Sequence, residues 1–242
     1  MLKLLSTDQT KLNKSIPYGF ATIGLQLSPA FEAAMVTGLD LPTMCAQAGV
    51  CADSCLAKRG MNAFPASAIA RAKRTHLYVR EPEQFYTQAI REITAAATRA
   101  SLKGLGLAVR PNVLSDQPKL AHRLAREFPS VQFYDYTKLP KPWLRTKDNY
   151  HLTFSASERS THRMIRQTLD AGINVAIVFP ILRTSDDLPQ FLTLQGQEFP
   201  VIDGDTHDLR FLDPSGCIVG LRYKGSAAQL TADCQKGFVW QP

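Results

Sequence analysis

From residue 102 onward the chain repeats one pattern, a short apolar run, a polar cluster and then a helical stretch, and few architectures accommodate it. The runs are Leu107-Ala108-Val109, Val131-Gln132-Phe133-Tyr134, His151-Leu152-Thr153-Phe154, Val175-Ala176-Ile177-Val178-Phe179, Pro200-Val201-Ile202 and Ile218-Val219-Gly220-Leu221. Each is strand-length and rich in β-branched or aromatic residues. Helical stretches lie between them, notably Lys119 to Glu127 and Thr161 to Ala171, the second stopped by Gly172. Strands alternating with helices imply a parallel sheet with helical crossovers. A further strand is expected over Phe20 to Leu27. A long helical region over Ala66 to Ser101 breaks near Glu81-Pro82, because proline disfavours helix in the residue before it. Six or seven strands result. The expectation is a single α/β domain over residues 1–242, a complete or partial TIM-like (β/α) barrel with mostly parallel strands; an open doubly wound sheet is the alternative.

A chain of 242 residues is long enough for a full core, and 45% hydrophobic with 20% charged residues is ordinary for a globular protein. The longest apolar runs are strand-length, too short to cross a bilayer, so no membrane partner is expected. Met1-Leu2-Lys3-Leu4-Leu5 gives way to polar residues at once, which argues against a signal or transit peptide and makes the cytoplasm the expected compartment. A net charge of +7, with an isoelectric point near 9.2, favours anionic partners such as phosphates or nucleic acid.

In barrels the chemistry gathers where strands end and loops begin, and this chain places polar residues there repeatedly. Arg110, Asn112, Ser115 and Asp116 follow one run; Asp135, Tyr136, Thr137 and Lys138 follow the next. Ser155, Ser157 and Glu158 come after the third, then Asp203, Asp205 and Asp208, and finally Arg222 and Lys224. Asp116, Lys138, Asp203 and Asp205 are the candidates for proton transfer; Asn112, Asp135 and Ser155 are candidates for holding substrate. The competing account of Asp203-Gly204-Asp205 is an Asp-Gly turn. Arg71 and Arg74, with Arg59 and Lys73, are candidates for an anion-binding patch, against the alternative of a solvated helix face. No Walker loop, dinucleotide fingerprint, nucleophile elbow or His-Glu-x-x-His motif is present.

The five cysteines are unevenly spread, three of them within the eleven residues Cys45-x5-Cys51-x3-Cys55. In a reducing compartment such a cluster points to metal binding or catalysis rather than disulfides. Thiolates suit zinc and iron–sulfur clusters, and Gly49 with Ala46, Ala48 and Ala52 keeps the loop, at about residues 43–60, uncrowded. Zinc would want a fourth ligand, for which His76, Cys217 and Cys234 are candidates that spacing does not separate. A four-iron cluster on three cysteines leaves one iron open to a small molecule, the arrangement of radical S-adenosylmethionine enzymes, whose cysteine loop also follows the first barrel strand. Their usual spacing of three then two differs from the five then three found here, so this comparison is one of architecture.

Several segments together resemble one family. They are Tyr18-Gly19-Phe20, Leu25-Gln26-Leu27-Ser28-Pro29-Ala30, Cys51-x3-Cys55-Leu56 with Gly60-Met61, and Ala70-Arg71-x-Lys73-Arg74-Thr75. Further on come Val109-Arg110-x-Asn112, Leu114-Ser115-Asp116, Phe133-Tyr134-Asp135-Tyr136-Thr137-Lys138, Asn149-Tyr150-His151-Leu152-Thr153-Phe154-Ser155 and Val201-Ile202-Asp203-Gly204-Asp205-x2-Asp208-Leu209-Arg210-Phe211-Leu212-Asp213-Pro214. The chain resembles, over nearly its whole length, the phage- and plasmid-encoded proteins labelled gene-product-88-like. The resemblance implies a mobile-element origin and carries little biochemistry. The expectation is therefore an iron–sulfur, radical S-adenosylmethionine-like enzyme acting on a nucleotide or nucleic acid. A zinc-bearing transglycosylase-like enzyme with Asp116 or Asp203 as nucleophile is one alternative, and a DNA-binding replication or regulatory protein is the other.

Overall fold

The computed structural model describes residues 2–6, 14–182 and 188–240. Its strands are β1 (Leu5–Ser6), β2 (Phe20–Leu25), β3 (Gly106–Arg110), β4 (Gln132–Thr137), β5 (Tyr150–Ser155), β6 (Val175–Leu182), β7 (Phe191–Leu194), β8 (Gln197–Asp203) and β9 (Ile218–Tyr223). These nine form one mostly parallel sheet, which is open. The barrel expected from the sequence is thus not closed. Closure needs a continuous ladder with a consistent stagger. Here the strand order ends at one side in the two-residue β1 and at the other in β7, one arm of a hairpin.

The chain divides into two compact units. The first comprises Met1–Ala48, Cys55–Asp135 and Lys147–His151. In it β2 pairs parallel with β3, from Phe20 opposite Gly106 to Gly24 opposite Arg110, and β3 pairs parallel with β4. Its helices are α1 (Glu32–Thr37), α2 (Pro65–Arg80), α3 (Pro82–Ser101) and α4 (Pro118–Glu127). The last three each open on a proline, which costs nothing there because the first amides of a helix have no intrahelical partner. Pro82 also explains the expected break: Glu81 is pushed out of the helical region, to φ −134° and ψ 59°. Phe85, Ala89, Ile93, Ala96 and Ala100 recur at helical spacing and form the buried stripe of α3, which packs on β1, β2 and β3.

The second unit comprises Gly49–Ser54, Tyr136–Thr146 and Leu152–Pro242. Here the ladder runs β5-β6-β9-β8-β7, parallel except for the β7–β8 hairpin. Gln195 and Gly196 both have positive φ, as a two-residue primed turn demands. The β6–β9 register shifts between Phe179 and Leu182, where Pro180 has no amide to offer the ladder. Helices α5 (His162–Asp170) and α6 (Ala227–Gln235) complete the unit. Ile165 and Leu169 of α5 bury against Phe154, Val175, Ile177 and Ile218.

Candidate functional site

Within the first unit, polar groups converge where β3 and β4 end. The Asp135 carboxylate accepts from the Asn112 backbone amide at 2.8 Å, the Asn112 side-chain amide at 2.9 Å and the Tyr150 hydroxyl at 3.0 Å. Asn112 Oδ1 in turn accepts from Ser115 Oγ at 2.8 Å and the Gln117 amide at 2.9 Å. Asn112 therefore ties the loop after β3 to β4, using both of its amide atoms and its own backbone. Asp135 and Tyr150 are almost fully buried, and Asp116, in the loop that follows Asn112, is buried as well, at 8% exposure. Burial pushes the Asp135 carboxyl up to about 7, against the opposing pull of Arg110, Asn112 and Tyr150. A carboxyl with that affinity exchanges its proton near neutrality, which suits acid–base chemistry.

The start of the cysteine segment is tied to this cluster. The Asp116 amide donates to the Met44 carbonyl at 2.8 Å, and Val113 donates to Leu25 at the end of β2 at 3.1 Å. Cys45, Cys51 and Cys55 are half-buried and in no disulfide. Their soft donors suit zinc or iron. Among the described residues, however, no group of three or more His, Cys, Asp or Glu side chains is arranged to hold a metal ion. Cys217 is buried, donates to the Pro214 carbonyl and has its thiol pushed up to about 11 by desolvation, so it behaves as a packing residue.

The remaining candidates are engaged elsewhere. Arg71 is buried and forked onto Glu32, with bonds of 2.8 and 2.6 Å, and also donates to the Asn62 carbonyl. Arg74 donates to the Lys3 carbonyl, and desolvation lowers its affinity for its proton. In the second unit, Asp203 meets Arg222 at 2.9 Å and Asp205 meets Lys224 at 3.3 Å, while the Asp205 amide donates to Asp203 Oδ1. The Asp-Gly-Asp segment is therefore an Asx-type turn with its charges compensated. Lys138 sits over the Phe238 ring, 5.6 Å from its centroid, and Ser155 ends β5 opposite Ala176.

Sequence reasoning missed Tyr150, which lies one residue before the expected His151–Phe154 run; its hydroxyl's role shows only in the folded state. It also missed Asp233, whose carboxylate accepts from Ser54 and, at 2.7 Å, from Tyr223, anchoring the Gly49–Ser54 segment in the second unit. Polarity in a short C-terminal helix was the only signal available for it. No curated protein and no solved structure matches this chain. The family model described as Gene product 88 matches residues 3–241, so the chain belongs to the Gene product 88 family.

Proposed function

We propose that this protein is an enzyme acting on a nucleotide or nucleic acid, with the strand-end cluster of the first unit as its acid–base apparatus and the Cys45–Cys55 segment as a metal-binding loop. The observation that carries the enzyme reading is the buried Asp135 carboxyl, held by Asn112 and Tyr150 in the C-terminal half of the parallel strand β4. Ligand sites of open α/β sheets gather at that edge, and buried ionisable groups with specific partners concentrate at functional sites. In this reading Asp135 and Asn112 are positioning residues, and Asp116 is the group that meets substrate. Asp203 is the weaker nucleophile candidate, because Arg222 already engages its carboxylate.

The metal part of the proposal rests on the spacing Cys45-x5-Cys51-x3-Cys55. The described side chains do not form a ligand group as they stand, so ligation requires the loop to rearrange around the ion, as in sites that fold on binding. An iron–sulfur cluster, with S-adenosylmethionine as co-substrate, is the first candidate; zinc is the second. Anaerobic purification with metal and sulfide analysis tests this. Brown protein with about four irons and four sulfides per chain supports the cluster, and Cys45→Ala should lose it. Colourless protein with one zinc replaces the cluster with a base-exchange enzyme. A chain free of either metal sinks the metal part.

The enzyme part is read by mass spectrometry on nucleotides and oligonucleotides incubated with the protein. A product formed by the wild type and absent with Asp116→Asn supports it. The net charge of +7 favours one rival, a nucleic-acid-binding protein without turnover. Salt-sensitive binding with no product would install that rival.

A further inference from the structure

The ladder of the second unit ends in β7, and the stretch from Leu188 to Gln197 that contains this strand has no charged residue. Exposed edges are usually blunted by charged side chains, because their free amides and carbonyls invite another strand. Here the side chains alternate instead. Leu192 and Leu194 are buried in the core with Phe199 of β8, while Phe191 and Thr193 face out, Phe191 being 54% exposed.

The register decides which backbone groups point outward. Strands β7 and β8 pair antiparallel, with Leu192 opposite Phe199 and Leu194 opposite Gln197, and the Val201 amide donates to the Gln190 carbonyl at 2.9 Å. Hydrogen-bonded and non-bonded pairs alternate along such a ladder. Gln190, Leu192 and Leu194 therefore direct their backbone groups to β8, and Phe191 and Thr193 direct theirs away from it. Among the described residues no strand lies on that outer side of β7. Pro189, the next outward position, has no amide to offer, and Gln195-Gly196 turns the chain back. The free edge is thus short and bounded at both ends, with Phe191 and Thr193 as its bonding residues.

We propose that β7 is the self-pairing edge of a homodimer, joined antiparallel to β7 of a second copy about a two-fold axis through Leu192. An outward-bonding residue must meet another outward-bonding residue. The register that sets Phe191 opposite Thr193 of the second copy, and Thr193 opposite Phe191 of the second copy, engages both residues of each chain and gives about four hydrogen bonds. A slip of two positions either way leaves a single bonded pair, and a slip of one turns the buried faces to opposite sides. In the favoured register Leu192 meets its own equivalent in the closely spaced, non-hydrogen-bonded pair, and the buried faces continue into each other. Phe191 falls beside a β-branched threonine, a favourable cross-strand pair. A second copy supplies this pattern of apolar and outward-bonding residues by construction. The two-fold uses the β7 edge of each copy once, so this pairing closes at two chains. It involves neither the acid–base cluster nor the cysteine segment, and stands independently of the reaction proposed above.

In sedimentation of the full-length chain, the average mass should rise with concentration from 26.8 kDa toward twice that value. The rise should fall across about 1–200 μM, the range of small interfaces. Thr193→Pro removes an outward amide and leaves the ladder to β8 intact, because the bonds to β8 come from Leu192 and Leu194. This variant should remain folded by circular dichroism and stay at 26.8 kDa throughout. Phe191→Lys sets a charge on the same edge and should weaken dimerisation by about 10-fold or more. In amide exchange followed by NMR on the wild type, the Phe191 and Thr193 amides should slow as concentration rises, with little change at Leu192 and Leu194. A mass of 26.8 kDa at every concentration would overturn the proposal. So would a dimer that forms equally well in Phe191→Lys, or a wild-type dimer in which the Phe191 and Thr193 amides exchange as fast as in the monomer.

Discussion

Three donors converge on the Asp135 carboxylate, yet desolvation still holds its proton up to about 7, well above the ordinary 3.8. The sign of the consequence follows from linkage. Between those two values the folded state keeps a proton that the unfolded state has lost, so the stability this group contributes is full below about pH 4 and lost as pH rises through about 7. Urea unfolding of the wild type should therefore show a fall in stability from pH 5 to pH 8 that is smaller in Asp135→Asn. An equal fall in both proteins would show that Asp135 titrates normally. Asn112→Ala removes a donor from Asp135 and the acceptor used by Ser115 and Gln117, and should cost about 2–3 kcal/mol by the same measurement. At Arg71 the chemistry is a buried ion pair. Truncation to Ala strands Glu32 and should cost about 3–5 kcal/mol, where loss of a solvated surface charge would cost almost nothing.

Elements were legible wherever a local rule governs them. Helices α4 and α5 sit within one or two residues of their expected limits, because amphipathic spacing and end signals are short-range. Thr161 caps α5 by accepting from the Met164 amide, so Thr161→Ala should lower stability by about 1 kcal/mol in thermal or urea unfolding. Strands β3 to β6, β8 and β9 were each anticipated by an apolar run. Strands β1 and β7 were not. The first is two residues long, and the second is joined to β8 by Gln195-Gly196, which lacks the Asn-Gly signature of a hairpin. Helix α6 escaped because it has no apolar stripe; Asp233 is its buried residue. Gly204 shows a constraint invisible in the sequence. A Cβ there would lie 2.6 Å from Val219 and 2.9 Å from the Gly220 carbonyl, so Gly204→Ala should cost about 1–3 kcal/mol, measured by urea unfolding.

For the molecule as a whole, the net charge of +7 makes any nucleic-acid affinity strongly salt-dependent, and binding measured at 50 and 200 mM salt should fall steeply. A salt-independent affinity would point to base contacts rather than phosphate neutralisation. The sequence by itself determined the strand–helix alternation, most helix limits, the family and the residue types at the strand ends, because periodicity, capping and motif are properties of neighbouring residues. Only the tertiary structure decided that the sheet stays open, that Tyr150 completes the Asp135 cluster, and that Glu32 engages Arg71. It likewise showed Asp203 paired with Arg222. Those outcomes join residues up to 39 positions apart, as from Glu32 to Arg71, and depend on strand order and burial. Burial is also what turns an ordinary aspartate into one that titrates near neutrality, and no local pattern records it.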